Sequence, residues 1–210
     1  MTLSPSLAWR ALSVVTACLA VTGCALLSAA PKASVQKAVL TEVPQELPRH
    51  TSGGDTVLVF PPKSAPLYDT TQMAYSTQSH EVAYFSEREW AEKPSQMLYP
   101  LLVRTLENTH AFRAVLTEPF PGHYTYALRT EVLDLIQDFT SDSANLVLSL
   151  RFQLTDYGAK TVVSTKEISV REPMRERNSY AGVTAANEAT AKALQQMAEY
   201  VLRATDAPPE

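Results

Sequence analysis

The sequence predicts an α+β fold, a mixed, largely antiparallel sheet of about five to six strands with two helices packed on one face. Three observations carry this. Residues 124–170 hold three successive segments joined by short polar turns, and their apolar side chains recur with period two, the signature of an antiparallel meander. Residues 97–106 and 183–201 instead repeat their apolar side chains at helical spacing. A continuous apolar run at 57–60, closed by Pro61-Pro62, suits a central strand covered on both faces.

The chain begins with an address. Arg10 precedes an apolar run at 11–21, too short to cross a hydrocarbon core of about 30 Å as a helix. The run ends in Val21-Thr22-Gly23-Cys24, and a small residue followed by cysteine resembles the bacterial lipobox, with Cys24 as the lipidated residue. Residues 1–23 are therefore expected to be a signal peptide, 24–33 the lipidated cysteine and a flexible tether, 34–204 a single domain and 205–210 a disordered tail. Without its first 23 residues the 210-residue chain keeps 17 basic and 22 acidic side chains, a balance that argues against nucleic-acid binding. Cys18 leaves with the signal and an acylated Cys24 cannot pair, so the domain must fold without disulfides. Two or three acyl chains hold a protein on a bilayer where one does so only marginally. A nine-residue tether has a typical reach of about 15–18 Å. Ala25, in place of aspartate after the cysteine, points to the periplasmic face of the outer membrane over the inner membrane.

Further along, residues 35–40 alternate weakly as a strand that Pro44 and Pro48 end, and Gly53-Gly54 marks a turn before the run at 55–60. Residues 67–86 contain two tyrosine- and threonine-rich extended segments, at 72–76 and 81–85, which fit either a partner-binding sheet edge or a hairpin whose tyrosines prop up the core. The mixed charges at 87–89 and 92–93 read as solvated surface. Met97, Leu98, Leu101, Leu102 and Leu106 define the first helix, capped by Ser95 or begun at Pro100. A short strand at 112–117 follows. Leu133, Leu135 and Phe139 break the phase of the strand begun at 124, which fits either a bulge or a strand end where both faces become covered. Ser179 is expected to cap the long second helix.

Catalysis has no local signature. The four histidines, His50, His80, His110 and His123, fall at element ends, none in an H-x-x-x-H pair, and the glycines form no phosphate-cradling frame. The reading is therefore of a protein that is not an enzyme and carries neither metal nor cofactor.

One ordered set of residues points further. Tyr68-Asp69-Thr70, Met73, Tyr75, Glu81, Ala83-Tyr84-Phe85, Arg88, Trp90, Pro94, Met97-Leu98, Leu101-Leu102, Leu106 and Phe112-Arg113-Ala114-Val115 occur in this order between a lipobox and an alanine-rich last helix. The set resembles the ABC-type transport auxiliary lipoprotein family; residues 35–40 depart from it, lacking the tyrosine-rich strand of relatives. The resemblance implies an auxiliary docking lipoprotein of a Mce-type lipid trafficking system between inner and outer membranes. Its partners would be the Mce-type substrate-binding protein and the ABC permease complex, with self-association left open. Tyr68, Tyr75, Tyr84 and Trp90 are the candidate contact residues, since large amphipathic rings anchor interfaces; packing over the first helix explains Tyr84 and Trp90 equally well. The rival function is envelope assembly or chaperoning in outer-membrane protein or lipopolysaccharide biogenesis.

Overall fold

The computed structural model describes residues 34–48 and 54–206; Cys24, the signal peptide, the tether, His50 and residues 207–210 lie outside the described residues. In chain order the elements are β1 (Gln36–Ala38), β2 (Thr56–Val59), β3 (Lys63–Ser64), a 3-10 turn (Pro66–Tyr68), β4 (Gln72–Ser76), β5 (Ala83–Trp90) and α1 (Pro94–Asn108). Then come β6 (Ala114–Thr117), β7 (Tyr126–Asp138), β8 (Asn145–Asp156), β9 (Thr161–Pro173) and α2 (Ser179–Asp206).

Among the described residues, strand β7 organises one mixed sheet of nine strands, more than the five or six expected. Along one side it pairs antiparallel with β8 over its whole length, and β8 pairs likewise with β9, giving the expected meander. Along the other side three short strands pair in succession, all parallel: β2 against Tyr126 to Leu128, β3 against Glu131 and Val132, and β4 against Ile136 to Asp138. Strand β6 flanks β2, and β5 with β1 extends the sheet beyond β4. Strand β2 is thus central and buried at every position, as its unbroken apolar run requires. Of the two readings of the phase break, the bulge is the one present: the β7–β8 register shifts between Val132 and Asp134 and leaves Leu133 unpaired. That shift keeps Val132 and Leu135 both in the core.

On β8, Leu146, Leu148, Leu150, Phe152 and Leu154 are fully buried beneath α2, each contributing about 1.5–3 kcal/mol. Ala185, Ala186, Ala189 and Ala193 of α2 let the helix lie close to that surface. Gly182 also lies against the sheet, since an added Cβ would collide with the buried Gln137 amide on β7. Helix α1 packs against α2 and over β6 and β7.

The helix ends differ from expectation. Pro94 is the first residue of α1, and the Gln96 side chain accepts the Lys93 N–H at 3.2 Å, while Ser95 is buried. Pro100 lies inside the helix at an exposed position, where its missing N–H removes one intrahelical bond. Asn178, one residue before the expected cap, accepts the Ala181 N–H at 2.8 Å. Helix α2 continues to Asp206, two residues past the expected domain limit.

Candidate partner-docking surface

The structure divides the four candidate aromatics between interior and surface. Trp90 ends β5 only 2% exposed, its backbone N–H bound to the Thr71 carbonyl at 2.7 Å, so its ring fills the core. Tyr68 closes the 3-10 turn at 7% exposure, its hydroxyl donating to Asp134 Oδ1 at 3.2 Å. Burial and the adjacent Asp134 carboxylate raise its pKa well above the ordinary tyrosine value. The rings of Tyr68 and Trp90 are thus packed into the fold, each replacing solvent with core.

Tyr84 is half-buried and donates to the Leu67 carbonyl at 3.1 Å. Together Tyr68 and Tyr84 pin the 3-10 turn onto the sheet and push Leu67 outward. Tyr75, also half-buried, stacks on Phe85 at 4.5 Å and lies 6.2 Å from Phe139. The Arg177 guanidinium covers Phe139 and donates to the carbonyls of Phe139 and Ser141, both at 2.7 Å. Tyr75 and Tyr84 thus each leave part of a ring at the surface while the remainder supports the fold.

Near the chain's entry, Arg88 joins three elements. It donates to Gln36 of β1 and to Ser179 of α2, and it lies 5.5 Å from the ring of Tyr180, which is 66% exposed. Beside it a groove of about 850 Å³ runs between residues 41–46 and α2, lined by Glu42, Val43, Asn187 and Lys192 among others. On the sheet face opposite α2, Arg151 bridges Glu131 and Glu167 at 3.0 and 3.4 Å, and Arg129 stacks 4.1 Å over Phe60 in a second groove of about 660 Å³. Such exposed ion pairs add little stability and describe a solvated face.

At the other end of the sheet, sequence reasoning missed Tyr157, Val162 and Val163, all exposed at the β8–β9 turn. The adjacent valines, which no strict period-two strand would leave wet together, were the available signal. Among the described residues no group of three His, Cys, Asp or Glu side chains could hold a metal ion. His80 and His110 occupy left-handed turn positions, at φ 70° and 55°. What the side chains offer is apolar and aromatic contact surface.

The fold has relatives among crystal structures. A protein from Xanthomonas campestris is 18% identical, with a TM-score of 0.70 over 82% of this chain and 96% of its own. An uncharacterised protein is 14% identical, with a TM-score of 0.59 over 77% and 99%. A hypothetical protein from Chlamydia trachomatis is 9% identical, with a TM-score of 0.50 over 74% and 100%. No curated protein matches the chain. The family model described as the ABC-type transport auxiliary lipoprotein component matches residues 39–198, which takes in every element from β2 to most of α2, and the chain belongs to that family.

Proposed function

We propose that this protein is a periplasmic lipoprotein, anchored in the outer membrane through Cys24, that docks a Mce-type ABC lipid trafficking system working between the two membranes. The observation that carries the reading is membership of an auxiliary lipoprotein family of ABC-type transport. The lipobox at Cys24 and the surface parts of Tyr75 and Tyr84 are consistent with it. The protein's task is to hold a partner near a membrane, with the transporter supplying the work of moving lipid.

The test uses the full-length lipidated chain in its native envelope. Affinity isolation from detergent-extracted membranes should recover the Mce-type substrate-binding protein and its permease. Recovery of outer-membrane protein assembly factors in their place would favour the rival reading. Cys24→Ser should leave the melting temperature unchanged and shift the protein from the outer-membrane fraction to the soluble periplasm; continued sedimentation with membranes contradicts the anchor.

A further inference from the structure

We infer that β9, a free edge of the sheet, pairs antiparallel with β9 of a second copy of this chain, the two strands meeting about a two-fold axis at Ser169. The pairing holds whether or not the protein docks a transporter.

Among the described residues β9 pairs with β8 alone, so the outer backbone N–H and C=O groups of a thirteen-residue strand stand open to another strand. From Ser164 to Pro173 its register with β8 is unbroken, and this stretch carries no bulge that would twist the edge away. Alternation then fixes the faces. Lys166, Ile168, Val170 and Glu172 share the face on which α2 packs, and the last three are buried there. Glu167, Ser169 and Arg171 lie exposed on the opposite face.

The sequence of this edge is complementary to itself. Two antiparallel strands related by a two-fold axis perpendicular to their sheet set residues of the same face opposite one another. With the axis at Ser169, Lys166 lies opposite Glu172 of the second copy, Glu167 opposite Arg171, and Ile168 opposite Val170. Every charge meets its opposite, and symmetry makes each pairing twice. Neighbouring registers lose this. An axis at Ile168 sets Lys166 against Val170 and Glu167 against Ser169, and one at Val170 sets Glu172 against Ile168. Axes at Lys166, Glu167 or Arg171 set a charge against itself.

The charges have room for these partners. Lys166 is exposed and, among the described residues, forms no ion pair. Glu172 Oε2 accepts from Lys192, and no donor among the described residues meets its Oε1. Glu167 and Arg171 reach inward, to Arg151 at 3.4 Å and Asp138 at 2.9 Å, yet their side chains remain 55% and 56% exposed. A lysine on the buried side of an edge strand ordinarily keeps other strands away. Here it admits a strand that brings a carboxylate to that position, which the same sequence read in reverse does, so the edge selects its own copy. The ladder ends where Thr165 meets Pro173, which has no N–H to give. A contact of this size is small, and the expected dimer is concentration-dependent.

Ser169→Cys in the full-length chain in native membranes tests the axis. Opposed residues of antiparallel strands have Cα atoms about 4.5–5.5 Å apart, within disulfide reach. Mild oxidation should link Ser169→Cys into a dimer at least tenfold more than Thr165→Cys, whose two copies would stand about 26 Å apart along the ladder. The chain with neither substitution should not link. Glu167→Arg added to Ser169→Cys should cut the link at least fivefold, and Arg171→Glu added to both should restore it. Restoration separates pairing from damage to the fold, because the second change repairs no contact within one chain. Equal linking at 169 and 165, or a loss that Arg171→Glu does not restore, overturns the inference. So does an unsubstituted chain that stays monomeric at about 100 μM in equilibrium sedimentation in detergent. Oligomers that form without the Ser169 link overturn it as well, since they would use another edge or face.

Discussion

Tyr68 donates its hydroxyl to Asp134 Oδ1 across 3.2 Å, tying a 3-10 turn between β3 and β4 to the middle of the longest central strand. The bond explains how a proline-rich connector can lead successive short strands along one side of β7. Tyr68→Phe keeps the ring and removes the bond, so it should lower stability by about 1 kcal/mol in urea denaturation. Tyr68→Ala should cost about 3–5 kcal/mol through the cavity it opens.

The same residue makes a pH prediction. A tyrosine whose folded pKa is raised stabilises the fold fully below its ordinary value of about 10, and that contribution is lost as pH rises through the raised value. Alkaline titration followed by tyrosinate absorbance should show a last component that ionises only as the chain unfolds. Tyr68→Phe should abolish it, whereas the delayed ionisation of Tyr126, raised by burial and then by Asp55 and Asp156, should remain.

Asp138 gives the acid-side counterpart. Hydrogen bonds from the Thr140 side chain and backbone, with Arg171 at 2.9 Å, hold its pKa below the ordinary carboxylate value. A depressed pKa stabilises the fold above the unfolded value of about 3.9 and ceases to do so as pH falls through the folded one. Asp138→Asn should therefore lower stability at neutral pH and flatten its decline below about pH 4. Thermal melts across that range check both effects, and parallel curves for the two proteins contradict the assignment.

Gly182 should tolerate alanine poorly despite lying in a helix, where alanine is ordinarily favoured by about 1 kcal/mol. The new Cβ would collide with the Gln137 amide, and that side chain, 1% exposed, has no solvent into which to swing. Gly182→Ala alone should destabilise by about 1–3 kcal/mol. In a Gln137→Ala background the same change should become neutral or stabilising, and a double-mutant cycle with no coupling rejects the contact.

What the sequence reveals and what it hides follow from the range of the forces involved. The meander, the central run at β2 and the phase break around Leu133 were legible because each is written in the alternation of neighbouring side chains. The two-residue β3 and the parallel docking of β2 and β4 on β7 were not, since nothing local to them names a partner so far along the chain. The candidate site divides in the same way. That Tyr68 and Trp90 are large and amphipathic is local information, but the carboxylate that claims Tyr68 lies 66 residues away. Whether a ring is bound by the fold or left for a partner is settled only when distant strands meet. Asn178 displaced Ser179 as the cap of α2 for a similar reason, because the Ser179 hydroxyl is engaged by Glu87 and Arg88 on β5.

Asn187 supplies the last prediction, because the first described strand depends on it. Its Oδ1 accepts the backbone N–H groups of Thr41 and Glu42 at 2.8 and 3.3 Å, and its Nδ2 donates to the carbonyls of Val39 and Val183 at 3.1 and 3.0 Å. The chain leaving β1 is thus fastened to the middle of α2. Strand β1 itself is three residues long and, among the described residues, pairs only with β5, aided by the Lys37–Glu89 ion pair. So short an edge strand has little stability of its own. Asn187→Ala removes bonds that net about 1 kcal/mol each and should cost about 2–3 kcal/mol in global stability. Its local effect should be larger: amide exchange at residues 36–42 should accelerate by more than the change in global stability accounts for, while β8 exchanges in step with it. Asn187→Asp tests the geometry, since it keeps the acceptor but turns a carboxylate oxygen toward the Val39 carbonyl, and it should release the same segment. Uniform acceleration across β1 and β8 in both variants would mean that Asn187 supports α2 alone and that β1 is held by its pairing with β5.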